Sequence, residues 1–557
     1  MIVSMAAVAE IIVSRLREAG VACLFGVPGG GGNLDLIDAA GRAGLPFVLT
    51  STETAAALAA MAQAEVTGRP GACLTTLGPG AASVVNGVAC AFLDRAPLIV
   101  FTDNYPAAAQ GMFAHQRLDH RALLAPITKG SATLTPDAIA GTIDRALDAA
   151  VAPPPGPVHL DWPGDVEVDR AGAPERHALR TFPGTDAARP FQGREDRPGA
   201  PERGALRTDD DGARFDELLS RSRKPLLLVG LGARRASDAV AIRALCEHRG
   251  VPAMVTYKAK GVVPDDHPFF AGVFTNAAVE QPLIDRSDLL IGVGLDPVEL
   301  IPRPWKREQP IVYVGPWAVE DRHVPFAVRL VTHVSAAVHR IDALLPASSW
   351  NAGDVRQEVD AQQRSMCVRA RGMTAQRVVQ IAAQRLARRA RVTVDAGAHM
   401  FPATMLWPVR EPNDMLISNG LSTMGFAVPA AIGAALLDRS RPVVALTGDG
   451  GLLMCAGELL TAAREALRLI VVVFSDASLS LIEIKQQHRE LRPSGVALGE
   501  IAWPALAGSL GITPFCAANE AQLERCLEQA LECDGPTLIE ARIDRSNYGA
   551  MLRAVRG

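Results

Sequence analysis

VVALTGDGGLLMCAGELLTA (443–462) decides the fold: an apolar run, a glycine turn around Asp449, then residues at helical spacing. A short continuous apolar run that ends in glycines and opens a helical period reads as a buried strand feeding a turn and a helix. LIVVVF (469–474) repeats the apolar run and ends in Ser475, Asp476, Ala477 and Ser478, so Asp449 and Asp476 stand 27 residues apart at two strand ends. Open α/β sheets place ligands at the carboxyl ends of parallel strands. Hard carboxylate oxygens at that edge suit magnesium, whose octahedral shell is commonly completed by phosphate oxygens and water. Gly448, Gly450 and Gly451 carry no side chains, so the N–H groups at the helix start can approach a phosphate directly.

Outward from this segment, buried runs alternate with helical stretches in three blocks, which predicts an α/β protein of three doubly wound parallel-sheet domains. The first block, 1–168, has a helix over 6–19 and strand-like runs at 47–50, 72–76, 98–102 and 158–161. A linker at 169–212 holds an imperfect duplication, RAGAPERHALRT (170–181) and RPGAPERGALRT (197–208), too short and polar to bury a core. The central block, 213–346, opens on PLLLV (225–229) and Gly230, Leu231, Gly232, like a Rossmann-type domain. Arg235 replaces the third glycine of the dinucleotide fingerprint, and no acidic residue stands at the usual distance, so the nucleotide signal is weak. A polar linker, 347–372, leads to the third block, 373–557.

Composition excludes other classes. The chain of 557 residues has 56 Lys and Arg against 60 Asp and Glu, a net charge of −4, which is no surface for neutralising nucleic-acid phosphates. Its apolar runs are far shorter than the ~20 residues of a membrane span. The first twenty residues carry Glu10, Arg15, Arg17 and Glu18 on an amphipathic repeat, unlike a signal peptide, so the expected location is cytoplasmic. Nine scattered cysteines, none spaced as Cys-x-x-Cys, predict small buried residues in a reducing compartment.

The Gly-Asp-Gly turn with its closing segment resembles the cofactor signature of the thiamine-diphosphate-dependent 2-oxo acid decarboxylases and carboligases, in their acetolactate synthase-like branch. The resemblance extends over nearly the whole chain. It makes the first domain the pyrimidine-binding one and the third the diphosphate-binding one. It implies that the Asp449 and Asp476 side chains and the Ser478 carbonyl hold magnesium, although the closing pair, usually Asn-Asn or Asn-Asp, is here Ser475–Asp476. DAGAHM (395–400) is similar to the family's diphosphate loop, with Gly397, Ala398 and His399 at binding positions. NGLSTMGFAVPAAIGAA (419–435) resembles the stretch that grips the cofactor's middle, with Met424 wedged between its rings and the Ser422 carbonyl facing the exocyclic amine.

In the first block, VLTSTETAAALAAMAQAEVTGRPGACLTTLGPGAASVVNG (48–87) resembles the pyrimidine-binding segment and puts Glu53 at a helix start. A glutamate there ordinarily compensates the helix dipole. The resemblance gives it a catalytic task, bonding the aminopyrimidine nitrogen, with partial burial raising its proton affinity. GMFAHQRLDHRALLAPITK (111–129) is similar to the following loop, with Gln116 near cofactor and substrate and His115 and His120 beside it. Lys485, in LIEIKQQ (481–487), falls where the branch selects its acceptor and reads either as a partner for an anionic substrate group or as a solvated lysine; His115 is the other substrate candidate. The family's flavin-contact run is replaced by GLDPVEL (294–300), which makes FAD doubtful. The implied enzyme decarboxylates a 2-oxo acid and ligates the product to a carbonyl acceptor. The alternatives are a decarboxylase releasing an aldehyde and a non-catalytic cofactor-binding relative. A homodimer or tetramer with active sites at the subunit interface is implied as well.

Overall fold

The computed structural model describes residues 2–3, 5–106, 109, 112–135, 138–163, 168–169, 208–319 and 323–556. The duplicated segment therefore lies outside the described residues up to its last position, Thr208, where the helix Thr208–Arg221 begins. Three six-stranded sheets carry the fold, and every strand pair within them is parallel. The expectation of three doubly wound α/β domains is thus met.

The sheet of the first block runs Phe47–Leu49, Leu24–Gly26, Gly71–Thr75, Leu98–Asn104, Pro157–Pro163, Gly130–Thr133. The third block repeats that order with Met415–Ile417, Arg391–Val394, Val443–Gly448, Leu469–Ser475, Thr537–Arg542 and Thr513–Ala517. In both, the chain switches direction between the first and third strands, which opens a crevice at their carboxyl ends. The central block differs: Phe270–Val273, Ala253–Val255, Pro225–Val229, Leu289–Val293, Ile311–Gly315, Phe326–Val331 is the order of dinucleotide-binding sheets.

Two compact units result. The first and third blocks form one, and the central block, with Pro408–Asn413 and Met551–Gly557, the other. The first unit is held by two helices, Glu53–Thr67 and Ala427–Leu437, rich in alanine on every face and buried along most of their length. Alanines and one glycine bring their backbones close: a Cβ on Gly433 would strike the Ala59 carbonyl. Gln63 Nε2 donates to the Gly433 carbonyl at 3.1 Å, so the buried amide keeps a partner. Thr52 caps the first of these helices, its hydroxyl accepting from Ala55 N at 3.1 Å, and Gly68 ends it at φ 68°.

Candidate active site

The Val443–Gly448 and Leu469–Ser475 strands pair in register, Gly448 opposite Phe474, so Asp449 and Asp476 leave the sheet side by side. Asp449 is buried. Its Oδ2 accepts from the amides of Asp476 (2.9 Å) and Ala477 (2.6 Å), and its Oδ1 from the Trp503 indole N–H (3.2 Å). Asp476 Oδ1 accepts from Ser478 N (3.1 Å) and Oδ2 from the Ser480 hydroxyl (2.6 Å). Ala477 takes φ +57°, a conformation costly for a side-chain-bearing residue, and this tight turn brings Ser478 back to the strand end. Burial, reinforced by the neighbouring Asp449 charge, pushes the Asp476 carboxyl up to about 6 against the Ser480 bond. Burial likewise raises Asp449, although the two loop amides oppose it.

Two desolvated carboxylates at neighbouring strand ends fit a divalent cation, which would offset the burial of both and the Asp449 charge beside Asp476. Among the described residues no group of three or more His, Cys, Asp or Glu is arranged for a metal. The remaining positions of an octahedral shell would therefore fall to carbonyl, water and diphosphate oxygens. Ser475, in the family's asparagine position, donates its hydroxyl to Glu540 at 3.3 Å.

Around this pair the other predicted residues assemble. Met424 Cε lies 3.2 Å from where a Cβ on Gly450 would stand, so the methionine reaches the glycine turn. Gly448 has the His399 ring beside it, 3.2 Å from such a Cβ, and Gly397 faces the same ring. His399 is buried and stacked on Phe474 at 4.9 Å, with Nε2 unpartnered. Burial lowers its pKa to about 4, a hydrogen bond to the Leu446 main chain opposing, so the ring is neutral. Ala398 is buried in the same loop, whereas Ser422 is exposed at φ +54°.

Glu53 and Gln116 lie at the edge of the other sheet. Glu53 is half-buried, and its Oε1 lies 3.1 Å from where a Cβ on Gly80 would stand. Gln116 is exposed at φ +54° with its carbonyl packed on Gly78. His115 is exposed too, its carbonyl accepting from the Tyr105 hydroxyl at 2.7 Å. Lys485 is exposed on the helix Ser480–His488. The structure thus gathers the predicted residues into two groups, one at each twin sheet.

Sequence reasoning missed several residues. Asp395, fully buried, accepts from Gly425 N (2.9 Å), Phe426 N (3.3 Å) and the Thr447 hydroxyl (2.9 Å), tying together the three cofactor-like segments. Burial raises it to about 6 against these bonds. Glu458, also buried, accepts from Ser51 N at 2.9 Å and from the Thr461 hydroxyl at 2.9 Å, and so holds the residues just before Glu53. Asp395 opens a quoted motif, and its strand-end position was the available signal; nothing in the sequence pairs Glu458 with a residue 407 positions away.

Comparison with known proteins finds relatives for all three blocks. The thiamine pyrophosphate enzyme N-terminal TPP binding domain matches residues 6–123, the central domain 213–341, and the C-terminal TPP binding domain 395–541. A catabolic acetolactate synthase from Raoultella terrigena is 28% identical over 96% of this chain and 95% of its own. An acetolactate synthase from Bacillus subtilis is 27% identical over 97% and 93%. A probable 2-ketoarginine decarboxylase from Pseudomonas aeruginosa is 30% identical over 96% and 93%. The chain belongs to the thiamine-diphosphate-dependent enzymes, in their acetolactate synthase-like group.

Proposed function

We propose that this enzyme decarboxylates a 2-oxo acid and transfers the remaining acyl unit to a second carbonyl compound. The observation that carries the reading is the pair Asp449, buried, and Asp476, half-buried, at the carboxyl ends of the paired strands Val443–Gly448 and Leu469–Ser475, while the twin sheet carries Glu53. Asp449, Asp476 and the Ser478 carbonyl would hold magnesium. Gly448, Gly450, Gly451, Gly397, Ala398 and His399 would surround the diphosphate, and Met424 and Ser422 the middle of the cofactor. When bound, thiamine diphosphate supplies the electron sink that makes loss of carbon dioxide feasible. Glu53 then holds the proton shared with the pyrimidine ring, and Gln116 orients the reacting groups.

The first unit exposes Met112, Phe113 and Leu118 around Gln116, and Leu421, Leu453, Met454 and Leu460 near the cofactor turn. Apolar side chains grouped beside both halves of a site are suited to cover by a second copy, which would bring Glu53 of one subunit to the carboxylates of the other. We assign the protein to the cytoplasm; among the described residues no helix is long and apolar enough to cross a membrane.

The central unit is read as holding no flavin. The Leu231 amide that would meet a nucleotide phosphate already donates to Glu299 Oε2 at 2.9 Å, and Thr256 donates to Oε1 at 2.5 Å. A diphosphate would have to displace the Glu299 side chain from that amide.

Product analysis across pyruvate and larger 2-oxo acids, on protein whose visible spectrum is recorded first, tests the whole reading. A 2-hydroxyketone or acetohydroxy acid from colourless protein is the expected result. Free aldehyde as sole product would favour the simple decarboxylase, the activity named for the Pseudomonas relative, and a yellow protein would restore FAD.

A further inference from the structure

A buried hydrogen-bond chain lies beneath the Glu53 and Gln116 corner and belongs to none of the roles above. Asp161, on the Pro157–Pro163 strand, is 6% exposed. Its Oδ1 meets His120 Nδ1 at 3.0 Å and accepts from the Thr102 hydroxyl, with His159 Nε2 at 3.4 Å; its Oδ2 accepts from Asn104 Nδ2 at 3.3 Å. Burial by itself would raise this carboxyl, but the bonds from His120, His159 and Thr102 outweigh it and hold Asp161 well below the usual range. The anion accepts and cannot donate, so the hydrogen-bond pattern assigns the His120 proton to Nδ1. Nε2 is then a bare acceptor, and the Gly78 amide donates to it at 3.1 Å.

Gly78 is where the chain turns. It sits at φ +55°, ψ −96°, a conformation suited to glycine, and a Cβ there would strike the Gln116 carbonyl. Two residues on, Gly80 lies against Glu53 Oε1. The Thr54 hydroxyl, next to Glu53, donates to the Ser83 carbonyl at 2.5 Å and ties the same two segments. One turn, 78–80, thus touches both candidate catalytic residues and is anchored from below by a single imidazole.

We propose that His120, oriented by Asp161, is a positioning residue that fixes the Gly78–Gly80 turn and thereby the placement of Glu53 and Gln116. The proposal rests on the reading of Glu53 and Gln116 as catalytic. A glutamine at 120 can present its amide oxygen near the Nε2 position, whereas an asparagine is one methylene too short to reach Gly78 while filling a similar space.

The test compares H120Q, H120N and E53Q with wild type. Amide hydrogen exchange at Gly78 is read on cofactor-free protein, and kcat, KM and melting temperature on the loaded enzyme. H120N should speed Gly78 exchange at least about tenfold and lower kcat about tenfold to a hundredfold with little change in KM, while H120Q keeps both within about threefold. The imidazole 15N spectrum of the wild type should show His120 protonated at Nδ1. Wild-type exchange and kcat in H120N, or the opposite tautomer, would overturn the proposal even where E53Q is inactive. If H120N does not fold, H120Q and the tautomer still decide, because fast Gly78 exchange in H120Q also rejects it. Should E53Q turn over like wild type, the reading of Glu53 itself fails, and that outcome is distinct from a normal H120N beside a dead E53Q.

Discussion

Asp476 is the residue on which the proposed metal site depends most. Its side chain is already oriented by Ser478 and Ser480, so an ion would find the ligand in place and would pay little to order it. Asp476→Ala removes the ligand oxygen, whereas Asp476→Asn keeps one and removes the charge. The magnesium concentration for half-maximal activity should rise at least about tenfold in D476A and much less in D476N. Equal effects would mean that charge, and not coordination, is what this position contributes. At this scale the sequence was informative wherever chemistry needs a particular side chain at a strand end. Asp449 and Asp476 stood out as candidates for that reason, and Met424 through the resemblance. The part proposed for His120 was not legible, because its partner Asp161 lies 41 positions away, on the Pro157–Pro163 strand.

Strand ends also set the energetics of the central unit. Burial raises the Glu299 carboxyl to about 8, with its bonds to Thr256 and Leu231 opposing, and raises Glu280 to about 7. A buried acid raised above its ordinary value of 4.5 keeps in the folded state a proton that the unfolded chain has released. Its contribution therefore favours folding near and below pH 4.5 and is lost as pH rises toward about 8, with a slope of at most about 1.4 kcal/mol per pH unit. Glu299→Gln keeps the shape and one acceptor but cannot ionise. Melting temperatures from pH 5 to pH 8 should fall less in E299Q than in wild type, and parallel curves would show that Glu299 does not titrate in that window. The glycine turn beside it was read from the sequence as a weak nucleotide signal, and in the structure its Leu231 amide donates to this side chain, delivered from a loop 68 residues further on.

The whole molecule pairs two sheets of one strand order, and each carries half of the candidate site. If a second copy completes the site, Glu53 and Asp449 act in different subunits. Mixing E53Q with D449A, each inactive alone, should then restore about a quarter of wild-type activity, because half the randomly paired dimers regain one of their two sites. No recovery, in dimers shown to have exchanged subunits, would place both residues in the same chain's site. Glu458 bears on this arrangement: from the diphosphate-binding block it grips Ser51, two residues before Glu53, so within one chain the two half-sites are mechanically joined.

By itself the sequence determined the α/β architecture, because buried strands and glycine turns leave local signatures of period and composition, and its resemblance to a known family indicated the cofactor class. Only the tertiary structure decided which residues hold those strand ends in place. Asp395, Glu458 and His120, the last oriented by the Asp161 side chain, act through hydrogen bonds to distant backbone amides, and every backbone offers the same donor. No residue pattern marks which amide a buried side chain will meet; the packing of strands and helices brings the two together.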